Sequence, residues 1–148
     1  MAAREGKTLE DLVLTALGDA LDPATRLEAY RELYRRYMRE AEHLLEEGDY
    51  AEAGEKLWGA VTALLNIIGE LEGRPHYRHS DYWEIVEGVV RETGDPEYST
   101  LFRLAEGLHA NFYHAFMAPE SFRAHWEGVK RLVEKLRRYI REKHGVEV

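Results

Sequence analysis

The chain has 148 residues, no cysteine and a formal net charge of −8. That length fits one domain with a sizeable core. The lack of thiols excludes disulfides, thiolate metal sites and cysteine nucleophiles. The acidic balance argues against a general DNA-binding face, which needs a basic surface. Arginine outnumbers lysine 15 to 5, glutamine is absent, and Asn66 and Asn111 are the two asparagines. High charge with few thermolabile amides is the pattern of a thermophile, and a high-GC genome favours the same Arg, Ala, Glu and Gly. Met1 to Lys7 lead into a charged segment with no long apolar run, so the reading is a cytoplasmic protein without a signal peptide. No stretch is apolar enough to span a bilayer, and no membrane partner is expected.

The predicted elements are all helices. Thr8 caps a short first helix with Leu9, Leu12, Val13, Ala16 and Leu17 inward, and Gly18 ends it. Asp22-Pro23 reads as an N-cap followed by a first-turn proline. The second helix then carries Leu27, Tyr30, Tyr34, Tyr37, Ala41, Leu44 and Leu45 at three-and-four spacing. Gly48 stops it, and Asp49 with Glu52 starts the next, which forces a tight helix hairpin. The third helix runs to about Leu71 with two apolar stripes, Leu57-Val61-Leu64-Ile68-Leu71 and Ala53-Trp58-Leu65, so it should be central. Gly73 to His79 form a loop. Ser80 or Asp81 caps a fourth helix with Tyr82, Ile85, Val86, Val89 and Val90 inward, ending at Gly94.

Asp95-Pro96 opens the fifth helix, which places Leu101, Ala105, Leu108, Phe112 and Phe116 on one face. Pro119 opens the sixth, with Phe122, Trp126, Val129, Val133, Leu136 and Ile140. No segment alternates as a strand does, and no linker divides the chain. The fold expected is all-α, an antiparallel bundle of about six helices in a single domain, residues 1–148. Residues 1–21 hold the short first helix and 22–143 the bundle.

Several local patterns invite a chemical reading. Gly48-Asp49-Tyr50 with Ala53 resembles a tetratricopeptide turn, but no second copy follows at that period, so it reads as hairpin capping. Glu40 to His43 and Glu106 to His109 have the Glu-x-x-His spacing of di-iron bundles. The first pair lies on the solvated face of its helix, and four inward carboxylates are not supplied, so no metal or other cofactor is expected. A His76-x-x-His79 pair is too little for a metal site. The fifth helix is richer: Arg103, His109, Asn111, Tyr113 and His114 follow one another, and His109 sits at the edge of an apolar face.

Two runs carry a resemblance. Leu44-Leu45-Glu46-Glu47-Gly48-Asp49-Tyr50-Ala51-Glu52-Ala53-Gly54-Glu55-Lys56-Leu57-Trp58-Gly59-Ala60 and Leu108-His109-Ala110-Asn111-Phe112-Tyr113 resemble the archaeal PaREP family (paralogous repeat, type one). That family is grouped with the HEPN helical superfamily of nucleotide-binding domains, and the likeness covers roughly residues 22–140. It implies a HEPN-like homodimer that associates with a nucleotide or RNA. It further implies a metal-independent endoribonuclease of toxin–antitoxin type, paired with a nucleotidyltransferase-like antitoxin. The superfamily's Arg-then-His spacing falls on Arg103 and His109. Arg103 would hold phosphate, His109 would be the general acid/base, and Asn111 would orient substrate or histidine. Arg74, Arg78, His79 and Tyr113 would line the ligand. Six residues of helix set Arg103 and His109 about 120° apart around the axis. The competing expectation is a non-catalytic homodimeric interaction module, in which Tyr77, Trp83 or Trp126 serves a partner surface and His109 and Asn111 are structural.

Overall fold

The computed structural model describes residues 22–148. The short helix expected at residues 8–18 lies outside them. Five helices follow in order: α1 (Pro23–Glu46), α2 (Tyr50–Glu72), α3 (His79–Thr93), α4 (Glu97–His114) and α5 (Pro119–His144). No strand occurs among the described residues.

The helices start and stop where local chemistry dictates. Asp22 accepts a hydrogen bond from Thr25 N at 2.8 Å, with Pro23 in the first turn of α1. Gly48 turns the chain at a φ of 79°, a conformation that costs glycine little. Gly48 N and Asp49 N then bond back to Leu45 O and Leu44 O, closing the hairpin. Asp49 caps α2 through Glu52 N.

The start of α3 differs from the sequence expectation. Arg78, not Ser80 or Asp81, is its N-cap residue. Arg78 has no side-chain acceptor to offer. Asp81, one turn in, reaches back instead and accepts from both Tyr77 N and Arg78 N at 3.0 Å. At α4, Asp95 accepts from Glu97 N at 3.0 Å. That helix ends at His114, where Ala115 takes a left-handed φ of 48°. The apolar stripe expected to continue to Phe116 therefore breaks: Phe112 is half-buried and Phe116 is 60% exposed.

Helix α2 is the axis of the fold. It packs against each of the other four described helices, and its residues from Leu57 to Gly69 are all buried. Gly59 makes room for the Tyr37 ring, which would lie 3.1 Å from a Cβ there, inside ordinary van der Waals contact. At the far end of α2 two carboxylates bind neighbouring segments. Glu70 accepts from Arg26 Nε at 3.0 Å and from buried His76 at 2.8 Å, which fixes the loop after α2. Glu72 accepts from the Tyr139 hydroxyl at 2.7 Å and from His144 at 2.9 Å, with the Lys143 ammonium at 3.4 Å. Burial works against the Glu72 charge, but these donors outweigh it and hold the carboxyl below the usual range. Burial and the Glu72 acceptor push the Tyr139 phenol up to about 12.

Candidate active site

The two sequence runs quoted above meet in space. Glu55 and Trp58, one turn apart on α2, face His109 on α4. His109 Nδ1 lies 2.8 Å from Glu55 Oε1 across a separation of 54 residues. A carboxylate can only accept, so Nδ1 carries the proton. The lone pair of neutral His109 then sits on Nε2, which has no hydrogen-bond partner among the described residues. The imidazole stacks on the Trp58 indole at 4.8 Å between centroids and 21° between planes. Tyr113, one turn further along α4, meets the ring edge-on at 5.3 Å. Burial and the nearby Glu55 charge raise the Tyr113 phenol above its usual range.

A second histidine comes to the same indole. His79, the first residue of α3, stacks on Trp58 at 5.5 Å and 22°. Its Nε2 lies 2.7 Å from Glu106 Oε2. The same Glu106 oxygen accepts from Trp83 Nε1 at 2.7 Å. Phe102 fills the space between, against Trp58, His79 and Trp83. Trp58 itself is 1% exposed. The site thus holds two carboxylate-paired imidazoles on one buried indole, built from α2, α3 and α4.

The other expected residues divide. Arg103 is on this surface but does not touch His109. Its side chain is 74% exposed, with its guanidinium 3.8 Å from Glu106 and 5.8 Å from the Trp83 ring. Glu106 lies on the helix face between the two, three residues from each, and so links Arg103 to the cluster. Asn111 is buried, and its Oδ1 accepts from Met117 N at 2.9 Å, which ties the turn after α4. It makes no hydrogen bond to Arg103 or His109. Arg74 lies apart, bonded to Glu72 at 3.1 Å, with its guanidinium laid over Gly88 of α3. Arg78 is exposed and caps α3 only through its backbone. Of the loop residues, His79 alone enters the cluster, while His76 is held separately by Glu70.

Sequence reasoning passed over Glu55, took Trp58 as core, and weighed Glu106 only as a metal ligand. Among the described residues no group of three or more His, Asp or Glu is arranged to hold a metal ion. No helix there is long and apolar enough to cross a membrane.

Fold and site together define an all-helical protein with a histidine–carboxylate centre on a buried tryptophan. The model of the archaeal PaREP1/PaREP8 family matches residues 29–133, more than half of the chain, and the chain belongs to that family. Both sequence runs and the whole Glu55–Trp58–His79–Glu106–His109 cluster fall within the match. No curated protein and no solved structure matches the chain.

Proposed function

We propose that this chain is a HEPN-like RNA-binding protein that cleaves a phosphodiester bond by acid/base chemistry centred on His109. The observation that carries this reading is the Glu55–His109 pair at 2.8 Å. A carboxylate on Nδ1 fixes the tautomer and orientation of the ring, supports the imidazolium, and presents Nε2 to a proton. A ribose 2′-hydroxyl is the proton source that suits it. Its oxygen, once deprotonated, attacks the adjacent phosphorus without any need for a metal ion. Arg103 supplies an exposed, permanently charged fork for phosphate. It sits about 9 Å along the α4 axis from His109, so within one protomer it grips a neighbouring phosphate of the same strand.

The test is cleavage of single-stranded RNA in excess EDTA by the native protein, His109→Asn and Arg103→Ala, all shown by circular dichroism to be folded. Cleavage by the native protein is expected. It should fall about 10²–10⁴-fold in His109→Asn and show weaker substrate affinity in Arg103→Ala. No cleavage by the native protein, or full activity in His109→Asn, rejects the reading.

A specific observation supports a second reading, a homodimeric interaction module. Tyr113 and Phe116, at the end of α4, are 46% and 60% exposed. Two large exposed aromatics three residues apart suit a partner surface. Sedimentation of native protein against Phe116→Ser tests this: a native dimer that becomes monomeric supports it, and a native monomer rejects it.

A further inference from the structure

We infer that His79 is the second proton-transfer group of this site, the general acid that completes the step His109 begins. The inference rests on the ribonuclease reading above. Four features of the geometry carry it. Both imidazoles stack on one indole, at 5.5 and 4.8 Å and within 22° of its plane, so the two ring centres lie within about 10 Å of each other. Each has one nitrogen held by a carboxylate, Glu106 for His79 and Glu55 for His109. Each has its other nitrogen without a hydrogen-bond partner among the described residues. The two come from different helices, α3 and α4, so together they can flank a strand instead of following one helix.

A separation under that bound admits a phosphodiester. In an in-line displacement the attacking and leaving oxygens stand on opposite sides of phosphorus. Proton partners about 3 Å from each oxygen are then about 6–9 Å apart. His109 Nε2 takes the proton of the 2′-hydroxyl as the 2′-oxygen forms its bond to phosphorus. The bond from phosphorus to the 5′-oxygen breaks, and protonated His79 gives its Nδ1 proton to that oxygen. The products are a 2′,3′-cyclic phosphate and a free 5′-hydroxyl. His109 ends protonated and His79 neutral, and solvent exchange resets both.

The charged and titratable groups around the pair are few. Glu106 on α4 faces His79 and in turn meets Trp83 Nε1 of α3 and Arg103, and the Tyr82 ring of α3 meets His79 edge-on at 6.4 Å. Glu55 on α2 faces His109, with the Tyr113 phenol beside it. Glu106 holds His79 Nε2, so it is a positioning residue, and the mobile proton is the one on Nδ1.

The experiment compares two substrates across pH: a ribodinucleotide, and a ribonucleoside 3′-(4-nitrophenyl) phosphate whose leaving group departs without a proton. In the native protein the dinucleotide rate should rise and then fall with pH, while the nitrophenyl rate should rise and stay high. His79→Gln keeps an N–H for Glu106 but removes the acid. Its dinucleotide rate should drop about 10²–10⁴-fold, and its nitrophenyl rate should stay within about 3-fold of native. His109→Asn should lose both. A His79→Gln variant that keeps the native dinucleotide rate, or loses both substrates equally while folded, overturns the inference and leaves the His109 reading standing. Should that variant not fold, the native two-substrate comparison decides: an alkaline fall for both substrates, or for neither, overturns it. A native protein that cleaves neither substrate rejects the ribonuclease reading itself.

Discussion

Gly69 offers the sharpest test of how the end of the bundle is held. A glycine inside a helix is about 1 kcal/mol worse than alanine, so Gly69→Ala in an open helix would stabilise. Here the reverse is expected. A Cβ on Gly69 would lie 2.6 Å from His76 Cδ2 and 2.9 Å from both its Cγ and its Cβ. The last of these is the decisive contact, because turning the ring does not move a Cβ. His76 is 2% exposed, bonded to Glu70, and set edge-on to Tyr30 at 5.6 Å. Displacing it adds about 1–3 kcal/mol of overpacking and weakens a charge-assisted hydrogen bond of about 1.5–3 kcal/mol. After the helix gain is subtracted, the variant should be about 1.5–5 kcal/mol less stable. At about 2–4 °C per kcal/mol for a domain of this order, the melting point by circular dichroism should fall by roughly 3–20 °C. Gly128→Ala is the control. Its nearest neighbour is the tip of Leu104, at 2.4 Å, a flexible and only half-buried side chain that can turn aside. Its melting point should move by only a few degrees, in either direction. A Gly69→Ala protein that melts at or above native refutes the close-approach argument.

Three further outcomes follow from the polar contacts. The Glu72 carboxyl is held below its usual 4.5 by its donors, so its stabilising contribution is present above that value and is lost as pH falls through the folded-state pKa. Chemical denaturation should show Glu72→Gln to be less stable than native at pH 7 and less sensitive to acid below about pH 4.5. The Tyr139 phenol is raised from 10.0 to about 12, so its contribution is full below pH 10 and fades between about pH 10 and 12. Tyr139→Phe should remove that part of the alkaline loss, read from tryptophan emission during titration. Asn111→Ala leaves Met117 N without its acceptor, and calorimetry should show a loss of about 1–3 kcal/mol.

The helix boundaries were largely legible because their causes are local. Asp22-Pro23, Gly48-Asp49, Gly94 and Pro119 are caps and breakers whose chemistry lies within four residues of where it acts. The start of α3 was misjudged because Asp81 caps from the third helical position rather than from the first non-helical one. Burial of α2 could be read from its two apolar stripes. The site was only half visible. His109 stood out as a histidine at an apolar edge, but its partner Glu55 lies 54 residues away, and no local period encodes that meeting. Glu55 looked like any exposed glutamate on a helix start. Trp58 looked like core, and it is core. Its second role, as the surface on which two imidazoles stack, exists only once α3 and α4 are docked.

That double role of Trp58 bears on the proposed association of an acidic protein with RNA. Glu55, Glu106, Arg103 and the two histidines make up the charges of the cluster. With both imidazoles neutral the five groups sum to one negative charge. With both protonated they sum to one positive charge. Association with RNA should therefore strengthen on acidification, because each imidazole that gains a proton adds one positive charge to the cluster, even in a variant that cannot cleave. The change should shrink as salt is raised, because exposed charges are screened within about 10 Å at 0.1 M. Titration of a 2′-deoxy-substituted oligonucleotide, which lacks the attacking hydroxyl, isolates this effect from catalysis. A binding constant that rises on acidification in the native protein, and does so less in both His79→Gln and His109→Asn, places the phosphate at this cluster. Affinity that is flat with pH, or that rises equally in both variants, places it elsewhere on the molecule.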